Sequence, residues 1–182
     1  MGDPPKLRNK YEKPKMLWDK DRLDEEKTYK RDYGLKNMRE LWICVALLKK
    51  YRREARRLLS VSDEIRTKDQ VKILSKVARL GILKDGATLD DILSLSVKDV
   101  LERRLQTIVK RQGLAKSMAQ SRQLVSHGFI SVKGRKVTSP SYIVTIDDEK
   151  MLGYAKEIDL EAKPTTETTK VDQTTAAVAK GE

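Results

Sequence analysis

The longest regular pattern of apolar positions predicts a helix over about residues 38–60. Apolar side chains recur three or four residues apart along it, which places them on one face of a helix. These inner positions are Leu41, Cys44, Val45, Leu48, Ala55, Leu58 and Leu59. Arg53, Arg56 and Arg57 fall on the opposite face, where they form one candidate surface for a polyanion.

Capping patterns divide the rest of the first hundred residues into further helices. At three places a side chain that can accept a hydrogen bond from the first helical turn stands three residues before a carboxylate or amide. The pairs are Asn37 with Glu40, Thr67 with Gln70, and Ser96 with Asp99. They predict the start of the long helix, a helix from Thr67 through Leu80, and a helix that continues into Arg103. The inward positions of the Thr67 helix are predicted to be Val71, Leu74, Val77 and Ala78. A charged helix over residues 18–33 precedes them.

A helix that ends at a glycine opens the stretch from Leu101 to Ile146. Leu101, Leu105 and Ile108 recur at helical spacing and predict an inner face, and Gly113 ends the helix. The same spacing predicts an outer face that carries Arg103, Arg104, Lys110 and Arg111.

A second helix is predicted between Ser117 and Gly128. Gln120 stands three residues after Ser117, and this spacing is typical of a capping box. The inward positions are predicted to be Ala119, Leu124 and Val125, and the outward ones Arg122 and Gln123.

Extended segments follow and predict a small antiparallel sheet. Phe129–Val132 begins it, residues 133–135 form the turn, and Lys136-Val137 returns. After Pro140, Ile143–Ile146 is predicted to complete the sheet. The predicted fold class is therefore α+β, with a mostly helical N-terminal domain followed by a module of two helices and a sheet.

Positive charge is concentrated in two blocks. Of the net charge of +12, residues 1–60 contribute +8 and residues 101–136 another +8, against 0 for residues 61–100 and −4 for residues 137–182. A patch of one sign on a small unit is typical of phosphate binding, because solvated surfaces usually mix both signs. Glu102 is the one carboxylate of the second block. Its nine cations are Arg103, Arg104, Lys110, Arg111, Lys116, Arg122, Lys133, Arg135 and Lys136.

The second block resembles the RNA-binding module named after ribosomal protein S-4. Matching residues include Glu102-Arg103-Arg104-Leu105, Gly113-Leu114-Ala115-Lys116-Ser117, Arg122-Gln123-Leu124-Val125, His127-Gly128 and Pro140-Ser141-Tyr142. Upstream, RLDEEKTYKRDYGLKNMRELW and YRREARRLL resemble the N-terminal half of the archaeal and eukaryotic forms of the S-4 family. The acidic, threonine-rich tail favours the archaeal type.

The resemblance implies a structural component of the small ribosomal subunit in the cytoplasm. Members of the S-4 family bind the 5′ domain of small-subunit (16S-type) rRNA, nucleate assembly, contact protein S-5, line the messenger RNA entry path and support translational accuracy. The alternatives left open are a free-standing RNA-binding factor and, with less support, part of an RNA-modifying enzyme. The predicted RNA contacts are the nine cations of the second block, the polar residues Ser117, Gln123 and His127, and the second surface of Arg53, Arg56 and Arg57.

The composition offers no catalytic or cofactor-binding constellation. His127 is the only histidine and Cys44 the only cysteine, so we predict no catalytic residue, metal site, cofactor or small-molecule substrate. The apolar run Leu41–Leu48 is far shorter than the roughly 20 residues of a membrane span. The polar first residues do not resemble a secretion signal. We therefore expect a soluble intracellular protein without a membrane partner.

The chain is predicted to fall into four regions. These are a basic extended arm (1–17), a helical domain (18–100), the S-4-type RNA-binding module (101–160) and a disordered tail (161–182). Tyr11 and Trp18 can either stack on bases or anchor the start of the first helix by packing.

Overall fold

The computed structural model describes residues 9–84 and 86–156, with only the backbone of residues 63–65. The predicted disordered tail and residues 1–8 of the predicted arm lie outside the described residues. Within them, the helices and strands in chain order are α1 Lys20–Asp32, α2 Met38–Leu59, α3 Asp63–Arg79, α4 Leu89–Ser94, α5 Val97–Glu102, α6 Leu105–Arg111, α7 Met118–Ser126, β1 Ile130–Val132, β2 Arg135–Lys136, α8 Ile146–Lys150 and β3 Leu152–Tyr154.

Helix α2 is the centre of the first apolar core. Its bounds agree with the prediction to within one residue, and Leu41, Leu48 and Ala55 on its inner face are buried. Helices α1, α3, α4 and α5 pack against it. Ile92 of α4 and Val100 of α5 are fully buried there, so the short helices are held by this contact.

Helix α3 begins earlier than the sequence predicted. Its first residue is Asp63, so Thr67 lies inside the helix, and Val71, predicted to face inward, is 66% exposed. Val77, also predicted to face inward, is fully buried. The start was wrong because extending an existing helix costs little once its first turn has formed.

The predicted helix through Leu101 is broken at Arg103 and Arg104, which separate α5 from α6. The backbone of Arg104 pairs with Ile143 in an isolated antiparallel bridge. Beside it, the N–H of Val144 donates to the carbonyl of Arg103 at 3.0 Å. A segment about forty residues further along the chain therefore forms hydrogen bonds with the backbone at the break. The prediction of one continuous helix was wrong.

The sheet contains the predicted hairpin but a different third strand. Its strand order is β2-β1-β3, and both pairs are antiparallel. Ile143–Ile146, predicted as the last strand, lies outside the sheet. Ile143 is taken up by the bridge to Arg104, and Thr145 caps α8 by accepting a hydrogen bond from the N–H of Asp148 at 3.2 Å.

The turn between β1 and β2 has two central residues with positive φ. Lys133 and Gly134 have φ angles of 51° and 71°, as a type I′ hairpin requires. This conformation is uncommon for a lysine. The Lys133 ammonium group lies 2.5 Å from the carboxylate of Asp148, and this ion pair helps to hold the turn.

The buried apolar residues form two clusters, which divide between Leu101 and Leu105. We call residues 18–102 the helical part and residues 103–156 the module. The predicted α+β fold class, helix-rich first and then two helices with a small antiparallel sheet, is confirmed. The division into separate domains stays a prediction, because ion pairs and hydrogen bonds also join the two parts.

Candidate RNA-binding surface

The start of α7 is fixed by a capping arrangement close to the predicted one. The hydroxyl of Ser117 accepts a hydrogen bond from the N–H of Gln120 at 3.1 Å. The Gln120 side chain accepts in turn from the N–H of Lys116 at 2.8 Å, one residue earlier than a capping box requires. Ser117 and Lys116 are both exposed at this helix end.

The inner face of α7 differs from the prediction at one position. Leu124 and Val125 are buried as expected, but Ala119 is exposed. Ser121 is fully buried instead, and its hydroxyl donates to the carbonyl of Gln106 at 2.5 Å. This contact orients α7 against α6 and leaves Gln123 exposed.

Four cations of the module are exposed and have no carboxylate partner among the residues that the structure describes. Lys110 near the end of α6 and Lys116 before α7 stand on either side of the loop between these helices, and Arg135 and Lys136 form β2. Helix α7 has nine residues, which corresponds to about 14 Å. Lys110 and Lys116 come before its first residue along the chain and β2 comes after its last, so cations stand at both of its ends.

The side chain of Lys136 lies across Gly128, directly after α7. Gly128 has a φ of +73°, and a Cβ at this position would overlap the carbons of the Lys136 side chain. The glycine thus ends the helix and leaves room for the lysine stem. His127, the residue before it, is exposed, and its ring centre lies 6.4 Å from that of Phe129.

Arg111 and Lys133 are exposed, but each pairs with a carboxylate. Arg111 pairs with Glu102, whose other oxygen accepts a hydrogen bond from Tyr33 at 2.8 Å. Burial and then this hydrogen bond raise the pKa of Tyr33 to about 12. The hydrogen bond from Lys133 lowers the pKa of Asp148 to about 2. The Arg111 and Lys133 side chains remain 62% and 45% exposed, so both can still meet a ligand.

Arg103 and Arg104 point away from solvent, contrary to the prediction. Arg103 donates to Glu149 at 2.7 Å, and its side chain is only 14% exposed. Arg104 is 2% exposed and donates to Glu40 at 2.6 Å and to Ser141 at 3.0 Å. The break between α5 and α6 removes the continuous outer face on which both were placed. The outward orientation predicted for Arg104 is therefore wrong, and its contact with phosphate stays an untested prediction.

Glu40 of α2 binds the module through two arginines. Its oxygens accept hydrogen bonds from Arg122 at 2.5 Å and from Arg104 at 2.6 Å. Burial alone would raise the pKa of Glu40, but the hydrogen bonds from Arg122 and Arg104 outweigh it and lower that pKa. Arg122, predicted to face out, thus faces α2, with a side chain 24% exposed. Glu40 was predicted only as the cap partner of Asn37.

Gln106 is a second link between the two parts, and sequence reasoning missed it. Its side-chain amide donates to the carbonyls of Gly34 at 3.2 Å and Met118 at 3.0 Å, and it is 1% exposed. The signal that could have revealed it is its place between the apolar positions Leu105 and Ile108. A polar residue beside a buried stripe needs hydrogen-bond partners.

The second predicted surface lies at the other end of α2. Arg53, Arg56 and Arg57 are all exposed, and Arg56 donates through its Nε to the carbonyl of Arg52 at 3.2 Å. Sixteen residues of helix separate Arg56 from Glu40, which corresponds to about 24 Å. The structure therefore keeps this surface apart from the contact between α2 and the module.

The described residues contain no group of three His, Cys, Asp or Glu side chains placed to hold a metal ion. None of the helices among them is long and apolar enough to span a membrane. Cys44 is buried in the first core, and this burial raises the pKa of its thiol. What the exposed surface of the module offers is positive charge, which suits a phosphate-bearing ligand.

Comparison with known proteins places these features in a family. The S4 domain matches residues 103–150. The small ribosomal subunit protein uS4 of Ignicoccus hospitalis is 52% identical over 155 residues, which cover 85% of this chain and 93% of the relative. The chain belongs to the uS4 family. The uS4 protein of Saccharolobus solfataricus is 44% identical over 165 residues, which cover 90% of this chain and 91% of the relative.

These relatives confirm the predicted resemblance to the S-4 family and to its archaeal type. Both alignments are long enough to include residues of the helical part as well as the module. The S4 domain match begins at Arg103, close to the division between the two apolar cores. The uS4 family likeness thus extends over the contact that Glu40 makes with the module.

Proposed function

We propose that this chain is a structural component of the small ribosomal subunit and binds its rRNA. The observation that carries the proposal is the set of four exposed cations, without carboxylate partners in the described residues, at both ends of α7. They are Lys110, Lys116, Arg135 and Lys136. The relatives named small ribosomal subunit protein uS4 support the same assignment.

The proposed mechanism is neutralisation of RNA phosphates by a rigid surface. Each phosphate contact releases condensed counterions, so association is driven by entropy and weakens as salt rises. The major groove of A-form RNA is too deep and narrow for side chains to read, so recognition depends on backbone shape and 2′-hydroxyls. Ser117, Gln123 and His127 are exposed beside these cations and are proposed as hydrogen-bonding contacts. Arg111 and Lys133 contribute through their exposed edges, and Arg53, Arg56 and Arg57 form a second RNA surface.

The finer proposals concern partners and place in the subunit. We propose contacts with protein S-5 and with messenger RNA near its entry path, and through them a role in translational accuracy and in assembly of the 5′ domain. We also propose that the chain acts without catalysis and resides on cytoplasmic ribosomes. The support for these proposals is the membership of the uS4 family.

A charge-reversal experiment tests the RNA surface. The quadruple variant Lys110→Glu, Lys116→Glu, Arg135→Glu and Lys136→Glu is titrated against a transcript of the 5′ domain of small-subunit rRNA. With four phosphates neutralised, the wild-type association constant is expected to fall about 100-fold between 50 and 200 mM salt. The variant is expected to lose at least that factor at 50 mM salt, together with the part of the salt dependence that these four contacts supply.

The matched control reverses four other exposed lysines and so makes the same change in net charge. These are Lys68, Lys76, Lys84 and Lys98 of the electrically neutral stretch. The control is expected to bind far more tightly than the first variant, and equal losses in both would contradict the surface. Sedimentation of subunits in high salt separates a structural component, which stays bound, from a free-standing RNA-binding factor, which is released.

A further inference from the structure

Trp18 is an exposed aromatic residue at a position where packing is expected. It precedes Asp19, the residue at the N-cap position of α1. An apolar side chain at this position often packs on the fourth residue of the helix, here Leu23. Trp18 is nevertheless 90% exposed, so its ring does not pack on Leu23. Its indole does not contribute to the stability of the helix start.

Tyr11, the other aromatic residue of this segment, behaves differently. Its ring packs against that of Trp42 on α2, with a distance of 5.9 Å between centres. Of the two aromatic residues considered from the sequence as either base contacts or packing anchors, Tyr11 is the anchor. The indole ring of Trp18 remains exposed and can contact another molecule.

Arg22 of α1 holds the backbone just before Trp18 in place. The guanidinium group of Arg22 donates to the carbonyls of Met16 at 2.9 Å and Leu17 at 3.0 Å. The same group donates to Glu26 at 2.6 Å, and Glu26 is 8% exposed. A buried carboxylate thus fixes an arginine that fixes the segment, and the exposed ring is presented with little backbone freedom left to lose.

We propose that Trp18 stacks on an unpaired base of the bound RNA. The positive charge of the residues that precede it favours this occupant, whereas Asp19, Asp21 and Asp24 follow it on α1 and its cap. Lys13 and Lys15 are exposed in the same segment, and residues 6–15 carry five cations against one carboxylate, Glu12. Proteins bind single-stranded RNA with aromatic side chains, which stack on the bases, and with cations, which contact the phosphates. This contact rests on the proposed rRNA-binding function and adds a site outside the S4 domain match.

The test compares Trp18→Ala, Trp18→Phe and the neighbouring control Leu17→Ala in binding to the 5′-domain transcript. Loss of one base stack is expected to weaken binding by roughly 5- to 100-fold. The slope of log K against log salt should stay unchanged, because no phosphate contact is removed. Trp18→Phe should retain most of the affinity, and Leu17→Ala, which removes a 56% exposed apolar side chain, should bind like the wild type.

Fluorescence gives a second readout of the same contact. The chain has two tryptophans, so the difference in emission between the wild type and Trp18→Phe reports on Trp18. RNA is expected to quench this difference signal. Thermal unfolding of Trp18→Ala should match that of the wild type, since an exposed side chain is removed. Arg22→Lys keeps the charge but has one nitrogen in place of the two that reach Glu26 and the carbonyls. It is expected to weaken binding partly, with the same salt slope.

Two outcomes would overturn the stacking contact. One is tight binding by Trp18→Ala at every salt concentration with no RNA-dependent change in the Trp18 signal. The other is a Trp18 signal that responds only to added small-subunit proteins and not to RNA, which would assign the ring to a protein partner. A wild-type chain that fails to bind the transcript would instead contradict the proposed function itself.

Discussion

Seven cations of the second block divide into a group that faces inward and a group that faces solvent without a carboxylate partner, while Arg111 and Lys133 are exposed but paired. Arg103, Arg104 and Arg122 donate to carboxylates and carbonyls of the same chain, whereas Lys110, Lys116, Arg135 and Lys136 are exposed without such partners among the described residues. The inward group consists entirely of arginines, and three of the four exposed residues are lysines. A planar guanidinium group suits fixed multiple hydrogen bonds in partly buried sites, and a strongly hydrated ammonium group suits the surface.

This difference teaches that net charge overstates the size of a binding surface. The second block carries nine cations and one carboxylate, Glu102, which pairs with Arg111, but the other counter-charges come from outside it. Glu40 lies more than sixty residues before Arg104, and Glu149 and Asp148 follow the block. Inward arginines should therefore govern stability, and exposed cations should govern RNA affinity.

The largest expected effect on stability comes from Glu40→Ala. This change leaves Arg104 buried and Arg122 mostly buried without their counter-charge, which is expected to cost about 3–5 kcal/mol of the free energy of unfolding. Urea denaturation at pH 7 measures it. Glu25→Ala, at an exposed carboxylate of α1, is the control and should change stability by about 0.5 kcal/mol or less. A loss below about 1 kcal/mol for Glu40→Ala would show that the ion pairs do not hold the two parts together.

A pair of single substitutions tests the division directly. Lys116→Ala is expected to lower the slope of log K against log salt by about 0.7–0.9 and to leave stability nearly unchanged. Arg122→Ala is expected to do the reverse, with a stability loss of about 1–3 kcal/mol because Glu40 loses a buried hydrogen bond. Both variants are measured by RNA titration at several salt concentrations and by urea unfolding. Equal slopes for the two variants would remove the distinction between the groups.

The smallest expected effect concerns pH and the pair of Lys133 with Asp148. The folded pKa of Asp148 is about 2, below its usual value of 3.8. Its stabilisation is therefore fully present above about pH 4 and is lost as pH falls through about 2. Lys133→Met should remove part of this pH dependence, with a cost at neutral pH below about 1 kcal/mol, since the lysine is partly exposed. Unfolding free energies of both chains between pH 2 and 7 provide the test, and parallel profiles would contradict the role of the pair.

Patterns that lie within one helix or one turn were sufficient to predict the elements that contain them. The apolar period runs along α2, the capping box of Ser96 and Asp99 lies at the start of α5, and the sequence predicted both. The hairpin followed from the turn glycine, Gly134, between extended segments. The family resemblance added the type of module, because its matching residues occur in a fixed order.

Contacts between distant segments could not be predicted in this way. No proline or glycine marks the break at Arg103 and Arg104, since its cause is the bridge to Ile143. The strand Leu152–Tyr154 is too short to show an alternating pattern. The inward direction of Arg104 and Arg122 depends on Glu40, whose spacing from Asn37 also fits a cap. The outward direction of these two arginines was consequently predicted wrongly, and the RNA contacts themselves stay a prediction.

The bridge between Arg104 and Ile143 also determines how the chain passes from one part to the other. The crossing is a paired backbone and not a loose tether, and the Glu40 ion pairs lie beside it. The separation between the arginines at the end of α2 and the lysines around α7 is therefore set before any RNA arrives. Under the proposed function, two RNA segments bound to both surfaces at once must adopt that separation, and the folded chain would then set their spacing.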